Sequence, residues 1–214
     1  HELRTPLSVV RAYVDLLAEA ASAAPRGGPG GDPGSWHDKA IEQLSRLDRL
    51  VDSILASVRG EGLRNLAREP FDAIRTAGET VEALRSLLRP HPIRWSPPRE
   101  PMVAVGDEAR FRQVLEQLLE NEAKYAPPGD GVSIGAWREA GEVRLYVTDD
   151  GPGIPSRDWE AVFEPFVRAE GRGRGSGIGL FAARRLMDGM GGRVWLEGNG
   201  YGGSRFVVAL PAEA

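Results

Sequence analysis

Two short glycine-rich segments carry the residues best suited to chemistry. The first, VTDDGPGIP at 147–155, places the carboxylates of Asp149 and Asp150 directly before Gly151 and Gly153. The second, GSGIGL at 175–180, spaces glycines at 175, 177 and 179 and runs into a helical pattern. A carboxylate at a strand end can accept a hydrogen bond from an adenine amino group, and glycines beside it let the backbone come close to a flat ring. Glycines that open a helix expose N–H groups, and a helix N-terminus favours phosphate. Upstream, LLENEAKYAPPG carries Asn121 and Lys124 on a helix, where an amide oxygen is a suitable hard ligand for Mg²⁺. Arg168, Arg172 and Arg174 lie between the glycine segments; they can reach phosphates or simply be solvated.

Other phosphate-binding patterns fail. A P-loop needs a lysine behind its glycine, and neither Lys39 nor Lys124 follows one. GxGxxG does occur, at Gly198, Gly200 and Gly203, but between two strand patterns. No helix N-terminus would face a pyrophosphate there, so it reads as a hairpin turn. No HRD or DFG triplet is present, which excludes the eukaryotic-type protein kinases. The absence of cysteine excludes disulfides and thiolate metal sites, and His1, His37 and His91 are too far apart for a His-pair motif. A net charge of −4 offers no footprint for nucleic acid, and no apolar run approaches the roughly 18 residues of a membrane span. The 27 glycines and 16 prolines of this 214-residue chain stay below the roughly 25–30% that marks a low-complexity sequence. Eighteen of those glycines fall between Gly129 and Gly203, in the half that also carries the strand patterns.

The elements that must position these residues form two blocks. In the first, Leu3, Leu7, Val10, Val14 and Leu17 make a heptad seam that ends before Pro25. After the loop 26–34, Ser35 is a good N-cap, and Leu44, Leu47, Val51, Ile54 and Val58 make a second seam. Two matched seams joined by one loop predict a helical hairpin over residues 1–60. Such a hairpin is expected to dimerise into a four-helix bundle, the alternative being that it packs on the rest of the chain. Residues 61–69 are polar and read as a linker. From 70 to 214 the pattern is mixed: a short strand and helix over 71–88, strands over 93–95 and 102–105, and a helix over 109–125 stopped by Pro127. Hairpins follow at 132–137/143–148 and 193–197/204–210, with a helix over 179–190 before the second. This predicts an α/β domain with a largely antiparallel sheet and helices on one face. The chain starts at His1 rather than methionine and is expected to be part of a longer protein.

HELRTPL, LLENEAKYAP, DDGPGI, FEPF and GSGIGL, in this order and spacing, resemble the H, N, G1, F and G2 boxes of the sensor histidine kinases of two-component systems. The resemblance covers essentially the whole chain. It implies an α+β architecture: a dimerisation and phosphotransfer hairpin (1–60), a linker (61–69) and an ATP-binding α/β sandwich of the GHKL type (70–214). It implies ATP and Mg²⁺ as cofactors, autophosphorylation on His1, and transfer to an aspartate in the receiver domain of a response regulator. Glu2 would take the second ring proton, and Thr5 would position a hydrolytic water if the protein is also a phosphatase. Asn121 would chelate Mg²⁺, with Lys124 and Tyr125 following it as in the family. Asp149 would read the adenine, Gly151 and Gly153 would admit it, and Arg168 and the box Gly175, Ser176, Gly177, Gly179 and Leu180 would meet phosphates. Phe163 and Phe166 would anchor a lid over roughly 155–174. A homodimer, a cytoplasmic kinase core and no nucleic-acid partner are implied; membrane attachment would lie in parts outside this chain.

Two positions depart from the family. Gln117 stands where a second asparagine is frequent, and Glu122 where the residue is usually small. A carboxylate aimed at the triphosphate would repel it; Glu122 is expected to face solvent and be harmless. These departures motivate the rival expectation of a degenerate nucleotide-binding or phosphatase-only module. A GHKL ATPase or serine kinase is the other alternative, against which HELRTPL on a dimerising helix argues.

Overall fold

A computed structural model describes residues 66–127, 129–167, 177–200 and 202–213. The chain divides into two units, His1–Gly62 and Leu63–Ala214, and the described residues all belong to the second. The expected hairpin, with His1, Glu2 and Thr5, lies outside the described residues, as do Arg168, Gly175 and Ser176.

Strand β1 (Glu69–Asp72) leads into helix α1 (Ala73–Ala83), then come β2 (Ile93–Trp95), β3 (Val103–Gly106) and helix α2 (Glu108–Tyr125). Strands β4 (Val132–Glu139) and β5 (Glu142–Asp149) follow, then 3₁₀ turns at Ser156–Asp158 and Ala161–Phe163, helix α3 (Gly179–Gly189), and strands β6 (Arg193–Gly198) and β7 (Ser204–Pro211). Leu66 packs against the core, and Ala67 N donates to Asp107 Oδ2 at 3.2 Å, so the packed fold takes in residues before position 70.

Local chemistry sets the helix ends. Asp72 caps α1, accepting from Ile74 N and Arg75 N at 3.0 and 3.3 Å. Asp107 caps α2 through Arg110 N at 3.1 Å. Pro127 cannot continue α2, and Ala126 before it is already extended. Helix α3 ends at Gly191, whose φ of +75° closes the last turn while Gly192 N reaches Met187 O at 2.9 Å.

The main sheet has the order β2-β4-β5-β7-β6, antiparallel except for the parallel edge strand β2. Alternation sends Val132, Ile134, Val143, Leu145, Val147, Leu196, Phe206 and Val208 into one core shared with the helices. The opposite face is shielded by its own side chains: Arg144 and Arg193 stack on Trp195, and Arg205 on Tyr146. These flank Val207 and Ala209, which are buried on that face. A small antiparallel sheet, β1-β3, joins the domain edge through an isolated bridge between Ala104 and Ala212. The two-layer α/β sandwich agrees with the sequence pattern.

Candidate functional site

Asp149 is the last residue of β5 and is 7% exposed. Its Oδ1 accepts from Gly151 N at 2.7 Å and its Oδ2 from Ser204 N at 3.1 Å. A carboxylate has about four lone-pair positions, so each oxygen keeps room for one further donor. The Asp149 backbone carbonyl accepts from Asn199 Nδ2 at 2.7 Å, and Gly203 N donates to Asn199 Oδ1 at 3.0 Å. Thr148 Oγ1 donates to Ser204 O at 2.7 Å, tying the two strand ends together. One charged side chain is thereby held by two loops distant in sequence.

Glycine is required where those loops touch. A Cβ on Gly153 (φ +68°) would lie 2.1 Å from Gly202 O, and one on Gly203 would lie 2.0 Å from Asp149 O. The GxGxxG match at 198–203 is indeed the β6–β7 turn, and its work is to brace Asp149.

Beside Asp149 opens a pocket lined by Asn121, Glu122, Tyr125, Ile154, Ser204 and Phe206. Ser204 Oγ is buried there with no hydrogen-bond partner among the described residues, a polar atom that a ligand can satisfy. Ile154 is held from behind, since its carbonyl accepts from Trp159 Nε1 at 2.8 Å. The exposed Lys124 lays its Nζ 4.8 Å from the centre of the Tyr125 ring. Helix α3 begins with Ile178 as N-cap and no side-chain cap, so its first N–H groups are not taken by a capping side chain. Gly179 opens that helix close to Gln117: a Cβ on Gly179 would lie 2.6 Å from Gln117 Oε1. Gly177, with φ +69°, packs against the Phe166 backbone. No group of three acidic or histidine side chains that could hold a metal occurs among the described residues. A metal here would need Asn121 together with oxygens brought by a ligand.

The structure thus gathers Asn121, Tyr125 and Asp149 around one pocket, with Gly151 and Gly153 in the loop leaving Asp149. Gly177, Gly179 and Leu180 lie at the start of α3. Two expectations are corrected. Glu122 does not face solvent: it is 2% exposed and lines the pocket. It lies four residues after Leu118 and three after Leu119, on the buried stripe of α2, and that helical period was legible in the sequence. Phe166 does not anchor by packing. Phe163 is 2% exposed and meets Phe206 edge-on at 6.3 Å, whereas Phe166 is 39% exposed. Phe166 contributes its backbone instead, donating to Gly177 O at 3.0 Å. Sequence reasoning misses Asn199, Gly203 and Ser204 as supports of the site, because only the pairing of β5 with β7 brings them to Asp149. Asp150 turns away and pairs with Arg94, which also donates to Ser133 Oγ at 2.9 Å.

Comparison with known proteins gives a consistent result. The family described as "Histidine kinase-, DNA gyrase B-, and HSP90-like ATPase" matches residues 106–214, and the "His Kinase A (phospho-acceptor) domain" matches residues 1–63. The chain is 32% identical over 221 residues to "Probable sensor histidine kinase TcrY" of Mycobacterium tuberculosis, covering 100% of this chain and 44% of that protein. It is 30% identical over 207 residues to "Signal transduction histidine-protein kinase/phosphatase MprB" of Mycolicibacterium vanbaalenii, covering 95% and 42%. Among solved structures, full-length ShkA in complex with AMPPNP superposes with a TM-score of 0.69 at 26% identity, covering 100% of this chain and 44% of that one. The chain therefore spans less than half the length of these curated relatives.

Proposed function

The chain belongs to the sensor histidine kinases of two-component systems, and from that premise we propose that it is the catalytic core of such a kinase, phosphorylating its own His1 from ATP. The observation that carries this reading is the Asp149 carboxylate, pinned by two backbone N–H groups in a pocket that also presents Asn121 and the Ser204 hydroxyl. In this reading Asp149 accepts from the adenine amino group, and Gly151 and Gly153 admit the ring. The first N–H groups of α3, with Gly177, Gly179 and Leu180, face phosphate. Arg168, Gly175 and Ser176 belong to the same phosphate-binding segment. Asn121 offers an amide oxygen to Mg²⁺, whose chemistry is to neutralise charge on the β- and γ-phosphates. Lys124 and Tyr125 border the same end.

An unprotonated imidazole nitrogen of His1 attacks the γ-phosphorus. A P–N bond forms, the P–O bond to ADP breaks, and ADP leaves with the electron pair. Glu2 accepts the proton from the other ring nitrogen. A receiver-domain aspartate of a response regulator then takes the phosphoryl group, breaking P–N and forming a P–O bond. Thr5 would orient water for the reverse, phosphatase direction. Residues 1–60 form the phosphotransfer and dimerisation unit, and a short connection leads into the catalytic unit, whose packed fold already takes in Leu66 and Ala67. The core works in the cytoplasm without nucleic acid, any membrane anchor belonging to parts of the protein outside this chain.

Incubation with γ-labelled ATP tests this. Acid-labile, base-stable label on the wild type, lost in His1→Gln, is the expected result; no label on a chain that binds ATP contradicts it. That second outcome is the signature of a degenerate nucleotide-binding module, a reading that the burial of Glu122 in the pocket favours.

A further inference from the structure

Three segments far apart in sequence meet at Gly131, just before β4. One is the edge strand β2, where Arg94 stands opposite Ser133 and donates from Nε to Ser133 Oγ at 2.9 Å. The second is the turn that leaves α2, in which Gly131 O accepts from Asp150 N at 3.2 Å. The third is the turn that leaves β5, in which the Asp150 carboxylate accepts from Arg94 Nη2. The ion pair lies directly over Gly131: a Cβ there would sit 2.7 Å from the Arg94 guanidinium carbon and 2.8 Å from Asp150 Oδ2. The next residue, Gly151, donates its N–H to Asp149 Oδ1 at 2.7 Å. Gly151 also passes close to the end of α2, where a Cβ on it would lie 3.3 Å from Pro127 Cδ. Contacts thus run from Arg94 through Asp150 to the Gly151 N–H and so to the Asp149 carboxylate. The Arg94 and Asp150 side chains are 57% and 48% exposed, and an ion pair this open to water adds little to overall stability. Its effect is local, on the direction of the 150–151 turn.

We propose that Arg94 and Asp150 are positioning residues for base recognition: their ion pair, laid over Gly131, holds the 150–151 turn so that Gly151 N keeps Asp149 aimed at the amino group of the base. This rests on the nucleotide-site reading above. Two charge removals separate positioning from simple attraction. If Arg94 acted only as a positive charge near an anionic ligand, removing it would weaken ATP binding, and removing the Asp150 charge would strengthen it. A positioning pair loses in both cases, because either removal leaves the turn unheld. A base without the amino group gives Asp149 nothing to accept, so its binding is indifferent to where Asp149 is aimed.

The test is calorimetric titration of the full chain with ATP and with inosine triphosphate, on the wild type, Arg94→Met, Asp150→Ala and the double variant. Arg94→Met keeps the apolar stem of the side chain and removes only its charged head. Each single variant is expected to bind ATP about threefold more weakly, the scale of one exposed ion pair. The double variant is expected to bind no more weakly than the worse single, because both changes break the same contact. Inosine triphosphate is expected to lose less than about twofold in Arg94→Met, a difference that a merely structural residue would not produce. ATP affinity unchanged or raised in Asp150→Ala overturns the proposal, as do single losses that add in the double variant, or equal losses for the two nucleotides. Any of these results with ATP still bound by the wild type leaves the nucleotide-site reading standing, whereas a wild type that binds neither nucleotide overturns both.

Discussion

Each carboxylate oxygen of Asp149 accepts one backbone N–H, from Gly151 and from Ser204, and those two bonds fix where its remaining lone pairs point. Asparagine at this position has only one acceptor oxygen, so it would leave one of the two N–H groups facing an amide NH₂. Asp149→Asn is therefore expected to weaken ATP binding by about 1.5–3 kcal/mol, the worth of a hydrogen bond to a charged group. Titration calorimetry reads this directly, with a melting curve to show that the fold survives; unchanged affinity would remove Asp149 from the base-reading role. Gly153 tests the same site from the backbone side. Its φ of +68° and the approach of Gly202 O leave no room for a methyl group. Gly153→Ala is expected to cost about 1–3 kcal/mol of stability in chemical denaturation, because the strain and the clash act together. A smaller change than this would mean that the 151–155 loop can move away from the β6–β7 turn without loss.

The helices are joined by charge as well as by packing. Arg75 of α1 donates to Glu79 at 2.8 Å and, across to α2, to Glu108 at 2.7 Å, while Arg112 of α2 donates back to Glu79 at 2.6 Å. The hydrogen bond from Arg112, then that from Arg75, holds the Glu79 carboxyl below its ordinary 4.5. A carboxyl lowered in the folded state stabilises above its unfolded value, and that contribution disappears as pH falls through the folded one. The wild type should thus melt slightly above Glu79→Gln at neutral pH, with the gap closing below about pH 4.5. High salt should narrow the neutral-pH gap too, because Glu79 is 46% exposed and its partners are screened. A gap that persists in acid would show that the glutamate contributes through packing instead. At the same scale, α2 shows why Glu122 is easily misplaced: counting residues from Asn121 suggests a neighbour free to face water, whereas counting turns from Phe111 puts it on the inner stripe.

Two units in one chain make the whole-molecule prediction one of stoichiometry. The heptad spacing of residues 1–60 predicts a hairpin with two apolar stripes, more than a single hairpin would bury. Light scattering of the purified chain is expected to give about twice 23.2 kDa. A monomer mass across the concentration range would favour the hairpin packing on its own chain instead. No helix among the described residues is long and apolar enough to cross a membrane.

Sequence alone determined the family, the element order and three of the residues that line the pocket, Asn121, Tyr125 and Asp149, because these are local properties: turn glycines, hydrophobic period and boxes in order. Asp149 was legible since its own neighbours Gly151 and Gly153 declare the close approach. What holds Asp149 was not legible. Asn199, Gly203 and Ser204 lie some 50 residues away and reach it only through the register that pairs Thr148 with Arg205. The same holds for Phe163, whose partner Phe206 is set by sheet order, and for Phe166, whose ring the fold leaves outside. Tertiary structure alone decided that Glu122 and Asp149 share one pocket, since neither helix period nor strand alternation says which helix end meets which strand end. That meeting is fixed by packing the inner stripe of α2 on the β5–β7 face of the sheet, a non-local contact with no signature in either segment taken by itself.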